Sequence, residues 1–176
     1  YVLLVSEYSQ RKGFADAFAV VGALAEAGFP HRLEVAGPIK PHLRDQVERL
    51  VATSPRPDRI AVRGFVDDLA GLYRGASLFL CPSRHEGFGL PVAEAMASGV
   101  PVVSYANSSL TEVVGDAGVL VPDGDVEAMA EAVRSVLDSP ARWGELREAG
   151  SARARQLTWD ATAEVYADAF GEVARP

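Results

Sequence analysis

The sequence has one cysteine, Cys81, so no disulfide can form within the chain and stability must come from packing. A reducing, cytoplasmic setting is the expectation, with Cys81 a small buried apolar side chain. No apolar run approaches the ~20 residues that a bilayer-spanning helix needs, and no signal-peptide pattern opens the chain. Basic residues are a minority: 17 Lys and Arg against 24 Asp and Glu give a formal net charge of −7. That excludes wholesale nucleic-acid binding, which needs a basic face. Repeats, low-complexity tracts and an internal linker are absent. So is an acidic metal motif, since Asp67-Asp68 reads as a helix cap and Asp123-Gly124-Asp125 as a turn plus a cap. A first methionine is lacking too. The chain opens YVLLV, a strand from the first residue, and the expectation is the C-terminal part of a longer protein.

What is present is apolar and regularly punctuated. With 48% hydrophobic residues in 176, there is material for one large core and one domain. Short apolar runs alternate with helical periods. Strands are expected at 1–5, 33–36, 60–62, 78–81, 100–104 and 119–121. Helices are expected from Phe14 to a stop at Gly28, around Leu43–Val51, from Asp67 or Asp68 to Tyr73, over 91–98 with Gly99 beyond its end, and over 109–114. Three more follow: one capped by Asp125 and running to Leu137, one from Pro140 and one from Thr158 or Trp159. Strands alternating with helices imply βαβ units with right-handed crossovers. The fold class is therefore α/β, a doubly wound, Rossmann-like parallel sheet of six strands with helices on both faces and extra C-terminal helices. Ligands of such sheets bind beyond the carboxyl ends of the strands, at the switch point. Three loops should converge there: Arg11-Lys12-Gly13, Gly64-Phe65-Val66 and RHEGFGLPVAE at 84–94.

The third loop carries the most chemistry. Pro91 suits the first helical position, so the helix points its free amides and positive dipole end into the crevice, a ready phosphate site. Gly87 and Gly89 permit backbone close to a ligand. Glu94 falls one turn into the helix, where a carboxylate accepting two hydrogen bonds suits vicinal ribose hydroxyls. Glu86 lies in the loop, so the two acids do not share a helical face and would touch different parts of one elongated ligand. Lys12 and Arg11 stand opposite and can neutralise a diphosphate. Phe65 and Val66 offer an apolar rest and backbone groups for a base. Together these describe a nucleotide sugar.

EGFGLPVAEAMASGVPVV, with PS ahead of it, closely resembles the donor-binding signature of retaining GT-B glycosyltransferases of family 4. KGF at 12–14, VAGP at 35–38, VRGFV at 62–66 and TEVVGDAGVLVPDGD at 111–125 extend the resemblance over almost the whole chain. It implies the C-terminal half of a GT-B fold, holding a nucleotide-diphosphate sugar for metal-independent transfer with retention, of mannosyl or glucosyl type, in glycan, polysaccharide or glycolipid synthesis. It implies that Glu86 contacts donor-sugar hydroxyls near the reacting carbon and that Lys12 stabilises the departing diphosphate. Glu94 would bind the ribose. The amides of Gly87, Phe88, Gly89 and Leu90 would cradle sugar and phosphate, and the main chain of Val66 would meet the base. No cofactor is implied. The partner implied is an N-terminal acceptor domain, without which this part would turn over little or nothing.

One departure stands out. Relatives in this family often carry an arginine five residues before the lysine, where this chain has Glu7 after Ser6. Arg11 is the residue placed to compensate. A nucleotide-sugar epimerase, a glycogen or sucrose synthase relative, and a non-catalytic donor-binding module remain as alternatives. His85 is read as a structural or binding group. Ser109, Thr111 and Glu112 are read as capping and opening a helix. Arg142, Arg147, Arg153 and Arg155 are read as a solvated helix face, with peripheral membrane contact by the full-length protein the alternative.

Overall fold

In a computed structural model, which describes residues 1–173, six strands form one parallel sheet in the order β3-β2-β1-β4-β5-β6. The strands are β1 (Val2–Val5), β2 (Leu33–Ala36), β3 (Ile60–Gly64), β4 (Leu78–Cys81), β5 (Val102–Tyr105) and β6 (Val119–Val121). Between and after them run α1 (Phe14–Glu26), α2 (Arg44–Ala52), α3 (Leu69–Arg74), α4 (Leu90–Ala97), α5 (Leu110–Val114), α6 (Val126–Leu137), α7 (Pro140–Ala154) and α8 (Trp159–Val173). The expected sheet, its strand count and its extra C-terminal helices are all present.

The central strands are continuous apolar runs because both faces are covered. Successive side chains point to opposite faces, so each strand feeds two cores. Leu4, Leu80 and Val103 pack with Phe18, Val21, Met129 and Val133 of α1 and α6. Leu3, Phe79 and Val102 pack with Val92 and Met96 of α4, and with Tyr73 and Leu110. Asp68 caps α3 by accepting from the Gly71 amide at 2.7 Å, and Asp125 caps α6 from Ala128 at 2.9 Å.

Several boundaries differ from expectation by a residue or two. Val100 lies in the turn that closes α4, not in β5, since its amide donates back to the Ala95 carbonyl at 2.9 Å. Helix α4 itself begins at Leu90, so Pro91 occupies its second position. A proline is tolerated there for the same reason as at the first, because the early amides of a helix have no partner within it.

On the β2–β3 side α2 covers one face of the sheet. On the other, a carboxylate is fully buried in mid-strand. Glu34 receives Arg32 Nε at 2.6 Å and Arg63 Nε and Nη2 at 2.6 and 3.1 Å. Burial by itself would raise its pKa, but the hydrogen bonds and charge of Arg63, then of Arg32, outweigh it and hold the carboxyl below its ordinary value. A group whose folded pKa is depressed stabilises above its unfolded pKa and stops doing so as pH falls through the folded one. The stability difference between the chain and its Glu34→Gln variant is therefore expected to be full at neutral pH. It should shrink on acidification from about pH 4 downward. Urea unfolding at a series of pH values measures it, and a pH-independent difference would show that charge pairing is not what Glu34 contributes.

Candidate functional site

The strand order puts the switch point between β1 and β4, and the loops that leave their carboxyl ends touch. The β1–α1 loop makes a single 3-10 turn over Gln10–Lys12 and passes into α1 through Gly13 at φ +66°. A Cβ on Gly13 would stand 2.0 Å from the Pro82 carbonyl oxygen, so glycine is what lets the two loops meet. They are then joined by main chain, the Arg84 amide donating to the Arg11 carbonyl at 2.7 Å.

This contact brings the charged residues together. Lys12 Nζ lies 2.5 Å from Glu86 Oε1, with side-chain exposures of only 14% and 13%. Charge pairing in so sheltered a place is strong and poorly screened. Arg11 donates to the His85 carbonyl at 2.7 Å and comes to 4.0 Å from Glu86 Oε2, its own side chain half-exposed. Beyond Glu86 the glycines differ in purpose. Gly89, at φ +94°, starts α4 and would clash with Leu110 if it bore a side chain. Gly87 has open space where a Cβ would go, so nothing inside the protein requires glycine there. Its bare backbone is exposed, next to the exposed Phe88 and Leu90 at the N-terminus of α4.

Glu94 sits on the other side of α4. Its Oε2 accepts from the Tyr73 hydroxyl at 2.8 Å, while the residue as a whole is exposed. Tyr73 is buried, and burial, then its bond to Glu94, pushes its pKa far up, so it remains a neutral donor. Phe65, 77% exposed, and Val66, half-buried, lead from β3 into α3, the helix that carries Tyr73. The β3–α3 loop and Glu94 are thus linked through one short helix.

A fourth loop, after β5, closes the site from below. Ser108 and Ser109 bond the main chain of Glu86, and Asn107 bonds the Ser83 carbonyl and Asp123, both at 3.0 Å. Ser109 does not cap α5 as expected; its hydroxyl goes to the Glu86 carbonyl at 2.9 Å instead. Arg84 is braced from behind. It pairs with Asp16 at 2.8 Å and lies over the Tyr105 ring at 5.3 Å, and the Tyr105 hydroxyl donates to the same Asp16 oxygen at 2.8 Å. Tyr73, Ser108, Asp16 and Tyr105 gave no signal in the sequence, because each meets its partner only through the fold.

Glu7 is paired with Lys40, at 3.0 Å on the exposed rim, so the acid at the arginine position is neutralised locally. Arg142, Arg147 and Arg155 are exposed, as a solvated face requires, with Arg147 over the Trp143 ring, while Arg153 is half-buried and donates to the Glu112 and Val113 carbonyls. No helix of the described residues is long and apolar enough to cross a membrane, and among them no three His, Cys, Asp or Glu side chains group as metal ligands. A hollow of about 640 Å³ beside α2 and β3 is larger than the cleft between β1 and β4, but its lining contains none of Lys12, Glu86 or Glu94.

Comparison with known proteins agrees with this geometry. The pattern of the family described as Glycosyl transferases group 1 matches residues 1–139. The chain is 42% identical over 119 residues to the O-antigen chain mannosyltransferase B of Escherichia coli, covering 66% of this chain and 31% of that protein. It is 35% identical over 176 residues to a GDP-mannose-dependent alpha-(1-6)-phosphatidylinositol dimannoside mannosyltransferase of Mycobacterium tuberculosis, covering 98% of this chain and 42% of that one. Among solved structures, a sucrose-phosphate synthase from Thermosynechococcus elongatus superposes with a TM-score of 0.82 at 29% identity, covering 97% of this chain and 46% of that one. The chain thus spans less than half the length of these relatives.

Proposed function

The chain belongs to the glycosyl transferases group 1 family, with the Rossmann-like half of a GT-B fold, and from that premise we propose that it holds the nucleotide-sugar donor of a hexosyltransferase. The observation that carries the proposal is the sheltered Lys12–Glu86 pair lying before the N-terminus of α4, next to a glycine that the protein's own packing does not require. The donor's diphosphate takes the backbone amides of Gly87 to Leu90 at the N-terminus of α4 and the Lys12 ammonium, where a helix dipole and a fixed cation both favour negative charge. Glu86 accepts from sugar hydroxyls near the reacting carbon. Glu94, its Oε2 held by Tyr73, accepts from the ribose through the outward part of its carboxylate. Val66 meets the base with its main chain, and Phe65 lends an apolar edge.

When the bond from the anomeric carbon to the diphosphate breaks, negative charge gathers on the leaving oxygen. Groups already aimed at that oxygen stabilise the transition state more than the ground state. In this reading Lys12 and the N-terminal dipole of α4 are so aimed, with Arg11 at the rim, and no metal is needed. Transfer proceeds with retention, to an acceptor held by residues beyond these. The names of the relatives make GDP-mannose the first donor to test.

Calorimetric titration of the chain with GDP-mannose, UDP-glucose and ADP-glucose is the test. One donor is expected to bind, with affinity unchanged by EDTA. Glu94→Ala should weaken it by about 1–3 kcal/mol, the loss of hydrogen bonds to a charged group. No binding at millimolar donor by a folded chain would sink the proposal.

A further inference from the structure

We propose that the Asn107–Ser108–Ser109 turn positions Glu86, fixing the direction of its carboxylate toward the donor sugar; the proposal rests on the sugar-contact reading of Glu86. Ser108 is the single non-glycine residue with a positive φ, +43°, among the described residues. A side chain is disfavoured there, and strain that persists at a loop points to a use for the group that causes it. Glycine would fit that backbone without strain, so the hydroxyl is what the position retains.

The hydroxyl has two partners at 3.0 Å. It accepts from the Glu86 amide and donates to Asn107 Oδ1. The directions are forced. Asn107 spends its amide hydrogens on the Ser83 carbonyl and Asp123, so its oxygen is the atom left to face Ser108. Ser108 must then give its proton to Asn107 and offer a lone pair to Glu86. On the far side of the same residue, Ser109 donates to the Glu86 carbonyl at 2.9 Å. The peptide groups before and after Glu86 are both pinned, and its side chain is drawn to Lys12 at 2.5 Å. A loop acid would otherwise be free to swing. Capping α5 does not account for the turn, because Ser109 makes no cap bond and the Ser108 hydroxyl points at Glu86.

The measurement is the gain in affinity that the sugar confers: the dissociation constant of GDP divided by that of GDP-mannose, or the UDP and UDP-glucose ratio if that pair binds. Glu86→Gln is expected to abolish the gain. Ser108→Gly should cut it about 3–10-fold, the loss of the hydroxyl's hydrogen bond to the Glu86 amide, with the affinity for the plain nucleotide unchanged. Its melting temperature should change little, since relief of the strained side chain offsets the lost hydrogen bonds and the looser unfolded chain. Ser109→Ala should act in the same direction on the gain, and Ser109→Thr should restore it. If Glu86→Gln abolishes the gain while Ser108→Gly and Ser109→Ala leave it intact, the positioning role is overturned. A fall in melting temperature together with lost affinity for the plain nucleotide overturns it as well, in favour of a purely structural turn. If Glu86→Gln itself keeps the gain, the sugar-contact reading fails, and the proposal with it.

Discussion

Lys12→Ala is expected to slow donor cleavage by about 10²–10³-fold, the usual effect of removing one group aimed at developing charge. Lys12 is 14% exposed and stands on a turn fixed by main-chain contact with the β4–α4 loop, so its ammonium does not need to be ordered at the moment of reaction. Such a group acts on the rate constant more than on ground-state affinity, and the loss should appear in kcat, with a smaller change in the binding of intact donor. Arg11 will not rescue it, because its guanidinium is already engaged with the His85 carbonyl and lies at 4.0 Å from Glu86. Lys12→Arg should recover only part of the rate, since a planar fork does not reproduce a compact ammonium in a closed space. The assay is release of nucleoside diphosphate from the donor that binds, compared between the unaltered and variant proteins. A kcat within threefold of the unaltered protein would remove Lys12 from the leaving-group role.

The second large effect concerns folding. Gly13→Ala is expected to destabilise the chain by about 3–5 kcal/mol. The left-handed backbone at φ +66° disfavours any Cβ, and the new methyl would meet the Pro82 carbonyl oxygen at 2.0 Å and its carbon at 2.8 Å. Those are backbone atoms at the end of β4, the strand beside β1, and cannot swing aside as a side-chain tip would. Of a total stability of about 5–15 kcal/mol, this is a large share. Urea unfolding reads it directly, through a lower midpoint at unchanged slope. A loss under 1 kcal/mol would mean that the two loops stand further apart than described. If the variant is folded, its Lys12–Glu86 spacing should also be disturbed, so nucleotide-sugar affinity should fall with stability.

Most of the fold was legible because its rules are local. Continuous apolar runs mark strands buried on both faces, as in Leu78–Cys81, and the helical period of Phe14, Phe18 and Val21 marks α1. Val100 was misread because an apolar Val-Pro-Val continues across the cap of α4, and pattern cannot tell a cap contact from a strand. In the site, the residues legible in sequence were those whose chemistry stands in one contiguous stretch or beside a signal glycine: Glu86, Glu94 and Lys12. Their supports were not legible. Tyr73 lies 21 residues from Glu94, and Asp16 lies 68 from Arg84. Ser109 carried a helix-cap signal, and local propensity lost to a carbonyl that only the fold could bring near.

The strand order has a consequence for synthesis on the ribosome. β1 is made before the other strands of this sheet, yet it lies at the middle of it, and its neighbour β4 follows only after β2 and β3. Lys12 meets Glu86 across 74 residues, and the turn at Asn107 comes later still. A growing chain can pair β1, β2 and β3 as a partial sheet, but it owns no grip on a nucleotide sugar until residues past Ser109 have emerged. Loop closure over that span is slow compared with helix formation. Until Ser109 has emerged, the Lys12–Glu86 crevice therefore lacks the turn that braces it.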